Sequence, residues 1–175
     1  MSEAADLLAT SPHRALITEM AIRYALPPLL VAAMVVVESS GSTWTVRYEP
    51  GFFDRYLRMA EINARRPCST ETERRMCATS FGLLQVMGQV ARERGYKATY
   101  LTGLCDPATG LEYGCKHLVW TRTTLQAKGK PADAASLCAA YNGGIGAVKG
   151  PGNYTNPEYP AKVLAALGTS WPDLA

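Results

Sequence analysis

Three short stretches of this sequence combine residue types that can do chemistry. The first is Glu38, which follows the most apolar run in the chain, residues 29–37. If that run is a helix, Glu38 lies at its C-terminal end. The partial negative charge there and the apolar neighbours both disfavour a carboxylate, so the position favours the protonated acid that proton donation near neutral pH requires. The plain alternative is a glutamate facing water where the helix surfaces. The second stretch is Gly82-Leu83-Leu84-Gln85-Val86. Gly82 allows a close backbone approach, and Gln85 is an amide among apolar residues that can both donate and accept. Its plain alternative is a helix start whose glutamine is satisfied by backbone. The third is Tyr141-Asn142-Gly143-Gly144, a polar pair at the end of an apolar helix, suited to sugar hydroxyls. The plain alternative there is an Asn-Gly turn beside a half-buried tyrosine.

The elements that must position these residues read as mostly helical. Ser11-Pro12 is a helix start, opening a helix over 12–25. Pro27-Pro28 break it and open a second helix over 29–39, closed by Gly41. Residues 42–50 favour extended structure, so a strand or short β-hairpin belongs near 43–50. Phe53, Tyr56, Leu57 and Ala60 share one face of a helix over 52–65. Ser69 or Thr70 with Glu73 suggests a capping box. A helix over 82–94 ends at Gly95. Asp106-Pro107 starts one that runs to about 126, and 128–131 is a turn. Helices over 131–141 and 159–167 enclose a glycine-rich loop, 142–157. The total is seven or eight helices in one domain spanning 1–175.

Composition narrows the function classes. At 47% hydrophobic and 19% charged residues, the chain is ordinary globular protein. A net charge of +3 is too small to make nucleic acid the default partner. The arginines of 55–75 read as a solvated face that could also attract an anionic cell wall. The apolar run 29–37 is far shorter than the roughly 20 residues a membrane span needs, so no stable membrane insertion is expected. No secretory signal pattern is visible at the N-terminus. Five cysteines and two histidines occur without a Cys-x-x-Cys, a pattern that fits no usual zinc site, so neither metal nor cofactor is expected. Cys68 with Cys77 could staple a loop. Cys105 with Cys115 is separated by too much helix, and Cys138 reads as a buried thiol. His13 and His117 read as surface or helix-end residues.

Taken in order, Glu38-Ser39-Ser40-Gly41, Gly82-Leu83-Leu84-Gln85-Val86, Tyr141-Asn142-Gly143-Gly144 and Tyr159 with Val163 resemble the soluble lytic transglycosylases and goose-type lysozymes. Asp106-Pro107, Leu111 and Gly114 are similar to a further helix of that superfamily. The resemblance covers about 26–167. Residues 45–78 are an inserted segment without an assignable counterpart. The resemblance implies a mainly α, lysozyme-like catalytic domain acting on the β-1,4 bond between N-acetylmuramic acid and N-acetylglucosamine of peptidoglycan. It implies Glu38 as the single acid and base of a lytic transglycosylase that leaves 1,6-anhydro-muramyl ends, with the N-acetyl group able to assist.

By the same resemblance Gln85 and Asn142 bind substituents near the scissile bond, Tyr141 shapes the floor of that subsite, and Tyr159 holds the acid. Ser80 is grouped with the substrate-binding residues, although as a loop hydroxyl, like the helix-end hydroxyl of Ser39, its plainer role is structural. Goose-type lysozymes carry an aspartate two residues after the motif glutamine, where this chain has Met87. The alternative, a muramidase, would therefore need Glu49, Asp54, Glu61, Glu71 or Glu73 as its second carboxylate. A third reading is a non-catalytic wall-binding or virion structural protein. The partner is the glycan strand, and the expected state is a monomer. The resemblance, with no visible signal, suggests a phage endolysin that is made in the host cytoplasm and reaches the cell wall or periplasm, or a virion-associated enzyme.

Overall fold

A computed structural model describes residues 1–174. Internal contacts divide the chain into two compact units, 1–41 with 115–175, and 42–114. Among the described residues the chain forms nine α-helices, with five short strands. The mainly helical expectation holds, but seven or eight helices is an undercount.

The first unit is built on α1 (Glu3–Thr10), α2 (Arg14–Arg23), α3 (Pro28–Ser39), α8 (Ala134–Gly143) and α9 (Glu158–Leu167), together with the later part of α7 (Pro107–Ala127). The helix expected over 12–25 is shorter, and α1 stands before it. Ser2 caps α1 by accepting from the Ala5 N–H at 3.3 Å, and Ser11 ends it, its own N–H bonded to the Leu7 carbonyl. Ser11 thus closes α1, and its Oγ also accepts from the His13 N–H at 3.1 Å in the turn that leads into α2. In α3, residues 30–35 have no exposed surface at all. A helix apolar on every side has to be buried, and α3 packs against α1, α2 and α9. Asp133 caps α8 by accepting from the Ser136 N–H at 2.9 Å, so α8 starts later than the expected 131. Behind it, Leu125, Ala139, Ala140 and Val148 form a small core covered by Ala132, Ile145 and Tyr154. The glycine-rich loop is more ordered than expected: it carries a 3₁₀ turn, Ile145–Ala147, and a hairpin of β4 (Val148–Gly150) and β5 (Asn153–Tyr154).

The second unit holds β1 (Val46–Tyr48), α4 (Pro50–Phe52), α5 (Thr70–Cys77), β2 (Thr79–Phe81), β3 (Val86–Met87), α6 (Gly88–Glu93) and the start of α7. The strands pair antiparallel in the order β1-β2-β3. The strand expected near 43–50 exists, but it is not a hairpin of that segment. Its partner is β2, with Arg47 opposite Ser80, and the tight hairpin is β2–β3. Ser80 therefore lies in a strand rather than a loop. The helix expected over 82–94 fails for a local reason: Gly82 has φ +72° and Gln85 φ +45°, left-handed values that no α-helix accommodates. Gly82 is required there, because a Cβ would sit 2.5 Å from the Leu104 carbonyl oxygen.

The helix expected over 52–65 is a single turn, α4, followed by a π-helical turn, Phe53–Leu57, in which the Arg58 N–H bonds the Phe53 carbonyl at 2.9 Å. The wider turn buries Phe53 and Leu57 and leaves Tyr56 exposed. Ser69 caps α5 through the Thr72 N–H. Glu73 does not complete a capping box. It is buried and ion-paired with Arg92, with Nε to Oε1 at 2.6 Å.

All five cysteines are free and buried. The staple between Cys68 and Cys77 is absent. The whole length of α5 separates the two residues, and a helix of that length rises by about 10 Å, beyond the reach of a disulfide. Both thiols lie instead beside the Glu73 carboxylate, Cys77 Sγ at 3.8 Å. Among the described residues no helix is long and apolar enough to cross a membrane.

Candidate active site

Glu38 occupies the last turn of α3. Residues 30–35 of that helix are fully buried, and Glu38, three residues further on, is half-buried. The termination is local. Ser39 Oγ donates back to the Val35 carbonyl at 3.1 Å, and the Ser40 N–H bonds the Val36 carbonyl at 2.9 Å. Ser40 and Gly41 are both left-handed, at φ +51° and +79°. The expected closure at Gly41 is thus carried one residue earlier, by a serine.

Tyr159, in the first turn of α9, donates from Oη to Glu38 Oε1 at 2.5 Å. Its phenol is pushed well above the ordinary tyrosine value by burial and then by the Glu38 charge, so it stays a donor. The Tyr141 phenol, near the end of α8, is also raised, by burial first and Glu38 second. Cys138, one turn earlier in α8, is raised for the same two reasons in the same order. One carboxylate is therefore felt by three side chains of α8 and α9, two phenols and a thiol, none of which ionises near neutrality. They form a weakly polar surround for the Glu38 carboxyl group, to which Tyr159 supplies a hydrogen bond.

Asn142 follows Tyr141 in the last turn of α8 and is exposed. Its Oδ1 accepts from Asn156 Nδ2 at 2.9 Å, and the same Asn156 nitrogen donates to the Ala139 carbonyl at 3.2 Å. Asn156 thereby fixes the Asn142 amide with Nδ2 as the group left to donate. Gly143 is needed beside it, since a Cβ there would meet Asn156 Nδ2 at 2.9 Å. The Tyr141 ring lies 5.3 Å from the His117 ring, and His117 stacks on Trp120 at 5.7 Å with 17° between planes. His117 is thus in the body of α7 and half-buried, not at a surface or helix end.

The first unit brings together Glu38, Tyr141 and Tyr159, with Asn142 adjoining. Gln85 and Ser80 belong to the second unit. Gln85 is buried in the β2–β3 turn, and its Nε2 donates to the carbonyls of Thr45 at 2.8 Å and Gly82 at 3.0 Å. The amide hydrogens are committed to backbone, so its carbonyl oxygen is what a ligand could use. Of the acids between 49 and 73, Glu49 pairs with Arg47, Asp54 with Arg58, Glu71 with Arg74 and Arg75, and Glu73 with Arg92. Glu61 is exposed. Among the described residues no three metal-ligating side chains converge on one point.

Asn156, Cys138, His117 and Trp120 were not singled out by the motifs as site residues. Only the i, i+3 spacing of His117 and Trp120 on one helix could have signalled that they meet.

The model of one protein family, described as the transglycosylase SLT domain, matches residues 15–162. No curated protein and no solved structure matches the chain.

Proposed function

We start from a chain that belongs to the transglycosylase SLT domain family, and we propose that it cleaves the β-1,4 bond between N-acetylmuramic acid and N-acetylglucosamine, with Glu38 as sole acid and base. A lytic transglycosylase type of activity on peptidoglycan goes with the family. The finer reading rests on one observation above all, the bond from Tyr159 to Glu38 Oε1. With Oε1 accepting from the phenol, the transferable proton is biased to Oε2, which hands it to the glycosidic oxygen as that bond breaks. The carboxylate left behind then takes the proton of the sugar's 6-hydroxyl, whose oxygen attacks the anomeric carbon and closes a 1,6-anhydro ring. Glu38 ends protonated, as it began, and no water is consumed.

Tyr141 shapes the floor beside the acid, and Asn142 Nδ2 donates to a sugar substituent. Gln85 binds the substrate through its amide oxygen, with Ser80 on β2, the strand that leads into the same turn. Hydrolysis would need a second carboxylate to activate water. Four of the five acids between 49 and 73 are held by arginines, which favours the transglycosylase reading over a muramidase. Mass spectrometry of fragments released from purified peptidoglycan tests it. Fragments one water lighter than hydrolysis products, absent with Glu38→Gln, are expected. Reducing ends would refute the lyase, and release by Glu38→Gln would refute the assignment of the acid.

A further inference from the structure

The rings of Tyr141, His117 and Trp120 form a ladder of contacts that runs from a phenol that feels the Glu38 charge to a tryptophan 41% exposed. A tryptophan in the middle of a helix usually hides more of its ring than this, because its large apolar area is costly in water. Here the imidazole lies almost parallel to the indole, at 17°, and supports it from the same helix face. The exposed part of the Trp120 indole offers a flat apolar surface with a polar edge, the form that suits a sugar ring: its C–H face packs on the aromatic plane while its hydroxyls remain free to bond. We propose that Trp120, supported by His117, is a saccharide-stacking subsite for a glycan residue beyond the two that flank the scissile bond. The occupant is a further sugar of the same peptidoglycan strand, because the ladder runs from Tyr141, which feels the charge of the acid that cuts it. This inference rests on the functional reading above.

The subsite gives the enzyme a preference for long strands over short ones. A disaccharide engages the floor at Tyr141 and Asn142, and only a longer strand reaches the indole. Trp120 is more than half covered and stacks on His117, so Trp120→Ala also removes packing, while Trp120→Phe keeps an aromatic face there.

The test uses the Glu38→Gln protein, whose amide oxygen can still accept from Tyr159, so that ligands bind without being cut. Calorimetry with peptidoglycan oligosaccharides from disaccharide to octasaccharide measures affinity against length. The octasaccharide is expected to bind Glu38→Gln about tenfold more tightly than Glu38→Gln/Trp120→Ala, with the disaccharide bound equally by both and Trp120→Phe recovering most of the loss. Equal loss at every length, or none at any length, would overturn the subsite while leaving the function above intact. Failure of Glu38→Gln to bind any length, with no release of fragments by the unaltered protein, would overturn both.

Discussion

Replacing Tyr159 by phenylalanine isolates one hydrogen bond. The ring stays, so the packing of a residue that is only 8% exposed is nearly unchanged. What goes is the hydroxyl that donates to Glu38 Oε1 at 2.5 Å. A hydrogen bond to a charged group is worth about 1.5–3 kcal/mol net. Each 1.36 kcal/mol of barrier is about a factor of ten in rate. If the phenol serves to hold the acid in its working rotamer, kcat should fall roughly 10- to 100-fold while KM moves by less than about twofold. Stability should fall as well, because a half-buried carboxylate loses a donor, by about 1.5–3 kcal/mol or roughly 3–12 °C in Tm for a chain of this size. The phenol's pKa is raised above its ordinary value of about 10, so the phenol itself stays protonated from pH 5 to 9, and any pH dependence in the ratio of wild-type to variant rate over that range reports the loss of its bond to Glu38. The assay is steady-state release of fragments from defined oligosaccharides, beside thermal unfolding of both proteins. An unchanged kcat, or a loss confined to KM, would refute the idea that Tyr159 acts by positioning Glu38.

The remaining predictions concern the folded state. Arg92→Ala should cost about 3–5 kcal/mol, because it leaves the buried Glu73 carboxylate unpaired and also releases the carbonyls of Tyr96, Ala98 and Thr99 that Arg92 holds. Urea unfolding checks this, and a cost below about 1 kcal/mol would contradict the pairing. Burial pushes the thiols of Cys77 and Cys115 up to about 12 and that of Cys138 higher, so thiol reagents should count five groups in denaturant and react slowly with the folded protein. The same shifts fix the sign of the alkaline response. The unfolded chain releases these thiol protons near 8.5 and the phenol protons of Tyr141 and Tyr159 near 10, whereas the folded chain holds them. Stability is therefore full below about pH 8 and declines as pH rises beyond it, and a urea midpoint that increased between pH 8 and 11 would contradict this.

What the sequence made legible divides along physical lines. Glu38, Tyr141 and Asn142 stood out because each sits at or near a helix end whose signal is strong, an apolar run that stops or a glycine pair, whereas Tyr159 stood out only through the resemblance. The β2–β3 turn could not be read as such. Gly82, Leu83 and Leu84 followed by Gln85 have helical composition, and only the close approach of the Leu104 carbonyl to Gly82 makes them a hairpin. That approach is a tertiary fact. The π-helical turn at Phe53–Leu57 likewise departs from the 3.6-residue spacing that linked Tyr56 to Phe53 and Leu57. Glu73 looked like a capping residue and is instead a buried partner of Arg92, nineteen positions on in the chain. Local patterns reveal local structure, and pairings at a distance escape them.

Backbone strain falls where the chemistry is read. Among the described residues, the non-glycine residues with positive φ are Ala25, Ser40 and Gln85, and two of these three belong to the motifs. Such conformations cost roughly 1–3 kcal/mol each and persist only where surrounding bonds determine them. At Ser40 the determinant is its N–H on the Val36 carbonyl, which ends α3 within two residues of Glu38. At Gln85 it is the side-chain amide, tied to the carbonyls of Thr45 and Gly82. A glycine at either place would relieve the strain. A glycine in place of Gln85, however, would lose two hydrogen bonds worth about 0.5–1.5 kcal/mol each, which roughly offsets the relief, and it would carry no amide oxygen to offer. The glutamine's backbone bonds and the substrate contact proposed for it are therefore not rival explanations. The bonds to Thr45 and Gly82 hold the strained turn, and by using both amide hydrogens they leave the carbonyl oxygen, fixed in direction, as the group for the proposed contact.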